Sequence, residues 1–267
     1  MSSFRPTVLL ATLAAYYSLA QAQCPAAWTD VAADLKTSFI TDGLCNDDAR
    51  AAIRLSFHDC FTGSCDGSVI LANECTDRGE NTQLIDICSS LGGKATQFGV
   101  GTADLIQFAA AFGIAACPGG PVVSVKVGRV DSSDASPEGQ LLGPNDSAAT
   151  IVSGFAAKGF SVSELVALMG AHTVAKDLNG DGLDSSTGNW DTAFYTETSE
   201  GSAPSSLNSD KFLSNSTQTS ADWTSFGSDA SAWAAAFIPA MEKLSLLGIT
   251  DTDSLTDCSS VLTDALA

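Results

Sequence analysis

Two histidines occur in the 267-residue chain, His58 and His172, and each stands in a stretch whose residue types suit chemistry. The first lies in Arg54-Leu55-Ser56-Phe57-His58-Asp59-Cys60. Arg54 and His58 are four residues apart, which on a helix places them on one face. A fixed cation beside an imidazole, the side chain that exchanges protons near neutral pH, can polarise and protonate a small polar ligand. Asp59 leaves that face, and Asp66 and Ser68 follow as hard oxygen donors better suited to Ca²⁺ than to the imidazole. His172, in Gly170-Ala171-His172-Thr173, falls on the apolar stripe of Leu165, Leu168 and Met169. Alone, such an imidazole is more often a satisfied core residue than a ligand. If both histidines act, none remains for a second imidazole-based metal site.

The elements that must position these groups read as mostly helical. Apolar spacing through Trp28, Val31, Leu35 and Phe39 predicts a helix opening at Cys24-Pro25 and ending near Asp42-Gly43. A second runs from about Asn46, with Asp47 and Asp48 favouring its first turn, to about Phe57 or His58, and carries the Arg54/His58 pair. From Phe61 to about Gly99 the composition predicts a stapled loop with a short helical piece near Leu84 to Leu91. Thr102 is expected to cap a helix over Ala103 to Ala116, and Val122, Val123, Val125 and Val127 suit a short strand or an extended loop. Ser132 to Gly143 reads as loop. Ser161-x-x-Glu164 is a capping box that starts a helix at about Val162. Asp177 to Ser220 shows few helical patterns, and a last helix is expected over about Ser231 to Leu247. Asp177-x-Asn179-x-Asp181-Gly182 opens like an EF-hand loop, but Gly188 stands where its glutamate is needed. The fold class is therefore mainly α with very little β.

A hydrophobic content of 45% supplies a buried core for one or two domains. The net charge of −19 argues against nucleic acid or an anionic membrane as partner. Residues 1–22, with Arg5, the apolar run Val8 to Ala14 and the small-x-small site Ala20-Gln21-Ala22, read as a secretory signal peptide. Nothing later is long enough to span a membrane. In an exported chain eight cysteines without a Cys-x-x-Cys read as four disulfides, with the pairing open on spacing alone. Asn145-Asp146-Ser147 and Asn215-Ser216-Thr217 are glycosylation sequons in loop-like sequence.

Arg-Leu-x-Phe-His-Asp-Cys at 54–60, followed by Cys65-Asp66-Gly67-Ser68, resembles the distal haem motif of the plant and fungal secretory peroxidases, and Gly170-Ala171-His172-Thr173 is similar to their proximal haem-ligand motif. The likeness runs from about Cys24 to Cys258, in a layout nearer the fungal class II enzymes than the plant ones. It implies a secreted, extracellular, monomeric enzyme with the disulfide-stapled haem peroxidase fold. Residues 23–267 would form one domain, distal over about 23–145 and proximal over about 146–267, with haem b between distal and proximal helices. His172 would ligate the haem iron, supported by Asp210 in Leu207-Asn208-Ser209-Asp210-Lys211-Phe212, and Phe57 would face the cofactor. His58 would take a proton from hydrogen peroxide and return it to the leaving oxygen while Arg54 stabilises the developing charge. Asn81 would orient His58, with Glu74 or Glu80 as the glutamate behind it.

The resemblance further implies two calcium ions. One would be held by Asp59, Asp66, Ser68 and the carbonyls of Thr62 and Ser64, the other by Thr173, Asp184, Asp191, Ser186 or Thr187, and the carbonyl of Asn189. It suggests the disulfides Cys24–Cys258, Cys45–Cys117 and Cys60–Cys65, leaving Cys75–Cys88. Small phenolic or aromatic reductants are the expected donors. Of the manganese-binding positions Asp47 matches one, Ala51 replaces another and Asp177 is one residue out of register. Ala167 occupies the place of the surface tryptophan of lignin peroxidases, and Leu183 a place where phenylalanine is frequent. Two other readings compete: a non-haem iron enzyme built on His58, His172 and a carboxylate, and a non-catalytic, calcium-binding extracellular module.

Overall fold

The computed structural model describes residues 23–267, so the expected signal peptide lies outside the described residues. Helix α1, Ala27–Phe39, buries Trp28, Val31, Leu35 and Phe39 as their spacing requires. It stops three residues short of the expected end because β-branched Ile40 and Thr41 form strand β1, which pairs with β2, Leu44–Cys45. Asp42 and Gly43, both at positive φ, make the turn between them. Asn46 caps α2, Asp47–Thr62, by accepting from the amides of Asp48 and Ala49. This helix runs a full turn beyond the expected end, since Cys60, Phe61 and Thr62 are also buried.

The segment expected as a stapled loop is largely helical: α3 (Ser68–Leu71), α4 (Glu74–Asp77), a 3₁₀ turn (Gly79–Leu84) and α5 (Ile85–Phe98). Cys75–Cys88 joins α4 to α5, and the buried Ile87, Leu91 and Ala95 supply an apolar face that the Gly-rich and polar composition obscures. Helix α6, Thr102–Ala116, is buried from Thr102 to Ile114 and packs against α2. The two helices approach closely at Gly113, where a Cβ would stand 2.9 Å from the Ala49 carbonyl oxygen. Thr102 does not cap this helix with its side chain. The Asp131 carboxylate, twenty-nine residues away, accepts from the amides of Thr102 (2.9 Å) and Ala103 (2.8 Å) instead.

Of the valine-rich run, Lys126–Val127 forms strand β3, whose antiparallel partner is β4, Thr256–Asp257, near the end of the chain. Helix α7, Ala148–Ala157, is capped by Ser147. Helix α8, Val162–Met169, begins at the complete capping box of Ser161 and Glu164 and tightens into a 3₁₀ turn, Gly170–Val174, that carries His172. The polar stretch after it contains helices α9 (Ala193–Glu200) and α10 (Asn208–Asn215), each anchored by a few buried residues such as Phe194, Tyr195 and Leu213. Then come α11 (Ser220–Ser228), α12 (Ala230–Leu244) and α13 (Ser259–Leu266), the last packed on α1.

The structure pairs Cys24 with Cys258, Cys45 with Cys117, Cys60 with Cys65 and Cys75 with Cys88. Among the described residues no single helix is long and apolar enough to cross a membrane.

Candidate active site

A cavity of about 810 Å³ opens between α2 and the α8 end of the molecule, and both histidines line it. Its walls are mainly apolar, with Phe57, Leu168, Val174, Leu183 and Met241 among them.

On the α2 wall, the four-residue spacing brings Arg54 Nε to 3.2 Å from His58 Nε2. His58 Nδ1 lies 2.6 Å from Asn81 Oδ1. An amide oxygen only accepts, so Nδ1 carries the proton and Nε2 keeps its lone pair on the Arg54 side. Burial, and after it the Arg54 charge, lower the imidazole pKa to about 4 against the opposing effect of the Asn81 hydrogen bond. Arg54 also donates to Gln83 Oε1 (2.6 Å) and to the Glu80 carbonyl (3.3 Å). Asn81 is held in turn by Glu74, whose backbone carbonyl accepts from Asn81 Nδ2 at 3.0 Å. The Glu74 carboxylate is buried, pairs with Arg78 at 2.7 Å and accepts the Ser136 amide at 2.7 Å. Glu74 is therefore the glutamate behind Asn81, acting through its carbonyl, whereas Glu80 is exposed and supports Arg54.

On the opposite wall, His172 Nδ1 is 3.2 Å from Asp210 Oδ2 on α10. Asp210 is fully buried, and its other oxygen has no hydrogen-bond partner. This leaves His172 Nε2 as the free lone pair of a ring that Phe194 meets edge-on at 5.5 Å. Gly170 makes the turn possible: a Cβ there would lie 2.4 Å from Trp233 Nε1 and 2.5 Å from the Tyr195 hydroxyl. A side chain at 170 would displace the segment that carries His172.

Below His58, Asp59 is wholly buried and accepts from the amides of Gly67 (3.1 Å) and Val69 (3.4 Å). Burial above all, with the charges of Asp66 and Glu74, raises its carboxyl pKa to about 8 against the two amide hydrogen bonds that lower it. Asp66 accepts the Ser68 amide, and its own amide donates to the Ser64 carbonyl. The Thr62 hydroxyl donates back to the carbonyls of His58 and Asp59. Beside His172, the Thr173 hydroxyl donates to Asp184 at 2.5 Å and to Asp191 at 3.4 Å. Ser186 donates to Asp184 from both its amide and its hydroxyl, and the Thr187 hydroxyl points at the Asp184 carbonyl. The Asn189 amide bonds the Ser186 carbonyl. Burial raises the Asp184 carboxyl to about 6. Each set is a pocket of hard oxygens next to one imidazole.

Around the rim the carboxylates have other partners. Asp47, one manganese-type position, is already paired with Arg50 and with Lys176 (2.8 Å). Asp177 spends its carboxylate on the amides of Asn179 and Asp181 and on the Ser205 hydroxyl. Ala167 is fully buried, with its carbonyl accepting from Trp233 Nε1, so position 167 is interior in this chain. Trp190, Trp223 and Trp233 are also interior, none more than 5% exposed. Among the described residues no three His, Cys, Asp or Glu side chains gather as a candidate ion site.

Sequence reasoning missed Gln83, Arg78, Ser136 and the buried Asp104–Arg129 pair, in which Arg129 Nη1 lies 2.9 Å from Asp104. Gln83, Ser136 and Asp104–Arg129 meet partners far away in the chain, so no local pattern marks them, whereas Arg78 stands four residues after Glu74, a helical interval that could have been read.

A mainly helical, disulfide-stapled fold with two imidazoles facing one apolar cavity, one paired with arginine and asparagine and one with a buried carboxylate, is a peroxidase arrangement. The sequence profile of the Peroxidase family matches residues 27–229, and the chain belongs to that family. It is 32% identical to a peroxidase of Arthromyces ramosus over 94% of this chain and 79% of that protein. A peroxidase of Coprinopsis cinerea gives the same identity and coverage. Manganese peroxidase 3 of Phlebia radiata is 30% identical over 82% of this chain and 71% of its own. The chain is thus a fungal class II-like haem peroxidase, an oxidoreductase acting on hydrogen peroxide.

Proposed function

We propose that the chain is a secreted peroxidase in which His58, Arg54 and Asn81 act on hydrogen peroxide, His172 and Asp210 hold the haem, and small phenols or similar aromatics are the electron donors. The observation that carries this reading is the opposed pair of imidazoles in one cavity, each with its Nε2 lone pair free of a carboxylate.

The apolar walls fit a flat macrocycle, with Phe57 and Leu183 among the residues that would touch it. His172 Nε2 would be the protein ligand, its basicity increased by Asp210. When bound, the haem supplies the iron centre at which peroxide is reduced. The protein's own task is proton management. Neutral His58 would take a proton at Nε2 from the near oxygen of peroxide, which displaces the Arg54 Nε–H donated there, and deliver it to the far one, which leaves as water. The Arg54 guanidinium stands where charge develops as the O–O bond opens. Asn81 fixes the tautomer by accepting from Nδ1. Reducing one peroxide to two waters takes two electrons and two protons, matched by one-electron oxidation of two phenols.

Donor choice follows from what the rim carboxylates already hold. Ala51 offers no oxygen, and Asp47 and Asp177 are engaged as described, which supports phenols over Mn²⁺. The buried position 167 supports the same choice over bulky aromatics oxidised at a surface tryptophan. The oxygen sets around Asp59 and Asp184 are the proposed calcium sites. Exposed Asn145 and Asn215 are the proposed glycan attachment points, and four disulfides suit an exported chain.

The test is a pair of variants. His172→Ala should purify without a stable Soret band, whereas His58→Ala should keep the band and change slowly on adding peroxide. A His58→Ala protein reacting at the parent rate would overturn the assignment.

A further inference from the structure

We propose that Gln83 is a positioning and donor-selecting residue of the peroxide site, a reading that rests on the role given above to Arg54. Gln83 sits in the 3₁₀ turn Gly79–Leu84, two residues after Asn81, and is exposed at the rim of the cavity. Its side-chain amide works in two directions. Oε1 accepts from Arg54 Nη1 at 2.6 Å, the shorter of the two contacts that hold the guanidinium terminus, the other being the Glu80 carbonyl at 3.3 Å. Nε2 donates to the Asp177 carbonyl at 3.4 Å, on the opposite rim.

The first contact bears on the reaction with peroxide. Arg54 lines the mouth of the cavity, and a long side chain there has several rotamers of similar energy. The Gln83 oxygen, placed by the same 3₁₀ turn that places Asn81, narrows these rotamers to ones that keep the guanidinium beside His58. One short turn thus positions both members of the proton-handling pair: Asn81 holds the imidazole and Gln83 the guanidinium.

The second contact bears on which donors enter. The Asp177 end is itself hydrogen-bonded: its carboxylate accepts the amides of Asn179 and Asp181 and the Ser205 hydroxyl. The Gln83 amide therefore bridges the α2 side to a hydrogen-bonded point beside Leu178, a rim residue 84% exposed. A bridge across the mouth admits single-ring phenols and hinders two-ring ones.

The experiment compares the haem-loaded full chain with Gln83→Ala, which removes both contacts, and with Gln83→Glu, which keeps an acceptor for Arg54 but loses the donor to Asp177. Stopped-flow mixing gives the rate constant with peroxide, and equilibrium titration of the haem absorption gives the affinity for phenol and for 2-naphthol. Gln83→Ala should slow the peroxide reaction about three- to tenfold, the modest end for a charged hydrogen bond because the rim is wet. Gln83→Glu should stay within about twofold of the parent in that rate. Both should bind 2-naphthol about threefold or more tightly than the parent does, with phenol changed less than about twofold. An unchanged peroxide rate in Gln83→Ala, or an unchanged 2-naphthol affinity in either variant, overturns the proposal. Arg54→Leu separates the two levels: if it too reacts at the parent rate, the role of Arg54 falls, and if it alone is slow, only the role of Gln83 does.

Discussion

Burial makes His58 a base that stays neutral over an unusually wide range. With its pKa lowered from 6.5 to about 4, the ring is unprotonated and able to accept a proton throughout mildly acid conditions. The rate constant with peroxide should therefore be flat from neutral pH downward and fall as the pH passes through about 4. Asn81 is the one contact that raises this pKa, so Asn81→Val should shift the fall to lower pH and slow the plateau about tenfold through loss of ring orientation. Stopped-flow rates across pH check both, and an Asn81→Val profile that overlays the parent would count against the orienting role. The same shift affects stability: between pH 6.5 and about 4 the unfolded chain binds the His58 proton and the folded one does not, so stability declines as pH falls through that window. At this scale the sequence was most legible where partners are close in the chain. Arg54 and His58 announce themselves by a helical interval, whereas Gln83 meets Arg54 from twenty-nine residues away and Arg78 meets Ser136 from fifty-eight.

The same distinction between near and distant partners governs the elements. The α8 start was legible because Ser161 and Glu164 bond each other's backbone within one turn. The α6 start was misassigned to Thr102 because the actual cap, Asp131, approaches from a separate loop. Asp131→Ala should cost about 1 kcal/mol of unfolding free energy, as losing an N-terminal cap does, and Thr102→Val less. Urea unfolding of the two variants checks this, and equal costs would restore Thr102 as the cap. Helices α9 and α10 escaped detection for a different reason. Polar residues cover most of their surface, and their stability comes from tertiary anchors: Phe194 against the His172 ring and Trp223, and Asp210 against His172. A propensity reading has no access to such contacts, yet α10 carries the buried carboxylate that meets His172 Nδ1. Its position was legible only through the motif around it.

Across the whole molecule, the ends of the imidazole-bearing segments are tied to buried carboxylates that need a counter-charge. Asp59 directly follows His58 and Thr173 directly follows His172, so the two proposed calcium sites adjoin the two sides of the cavity. Without a cation, burial holds Asp59 protonated up to about pH 8 and Asp184 up to about pH 6. Each folded-state pKa lies above the ordinary aspartate value of 3.8, so the stability these protons contribute is present at low pH and lost as pH rises through about 6 and then about 8. A bound Ca²⁺ replaces those protons and reverses the dependence, since the ion binds the carboxylates in their charged form. The gap in melting temperature between calcium-loaded and chelator-treated protein should therefore be small near pH 4 and widen steadily toward pH 8. Over the same range chelation should broaden the haem absorption and slow the peroxide reaction, because His58 and His172 each lose a fixed neighbour. Scanning calorimetry with metal analysis decides it: a melting gap that stays constant from pH 4 to 8, or no gap after calcium is shown to be gone, would mean that the carboxylates at 59 and 184 are structural acids and not ligands.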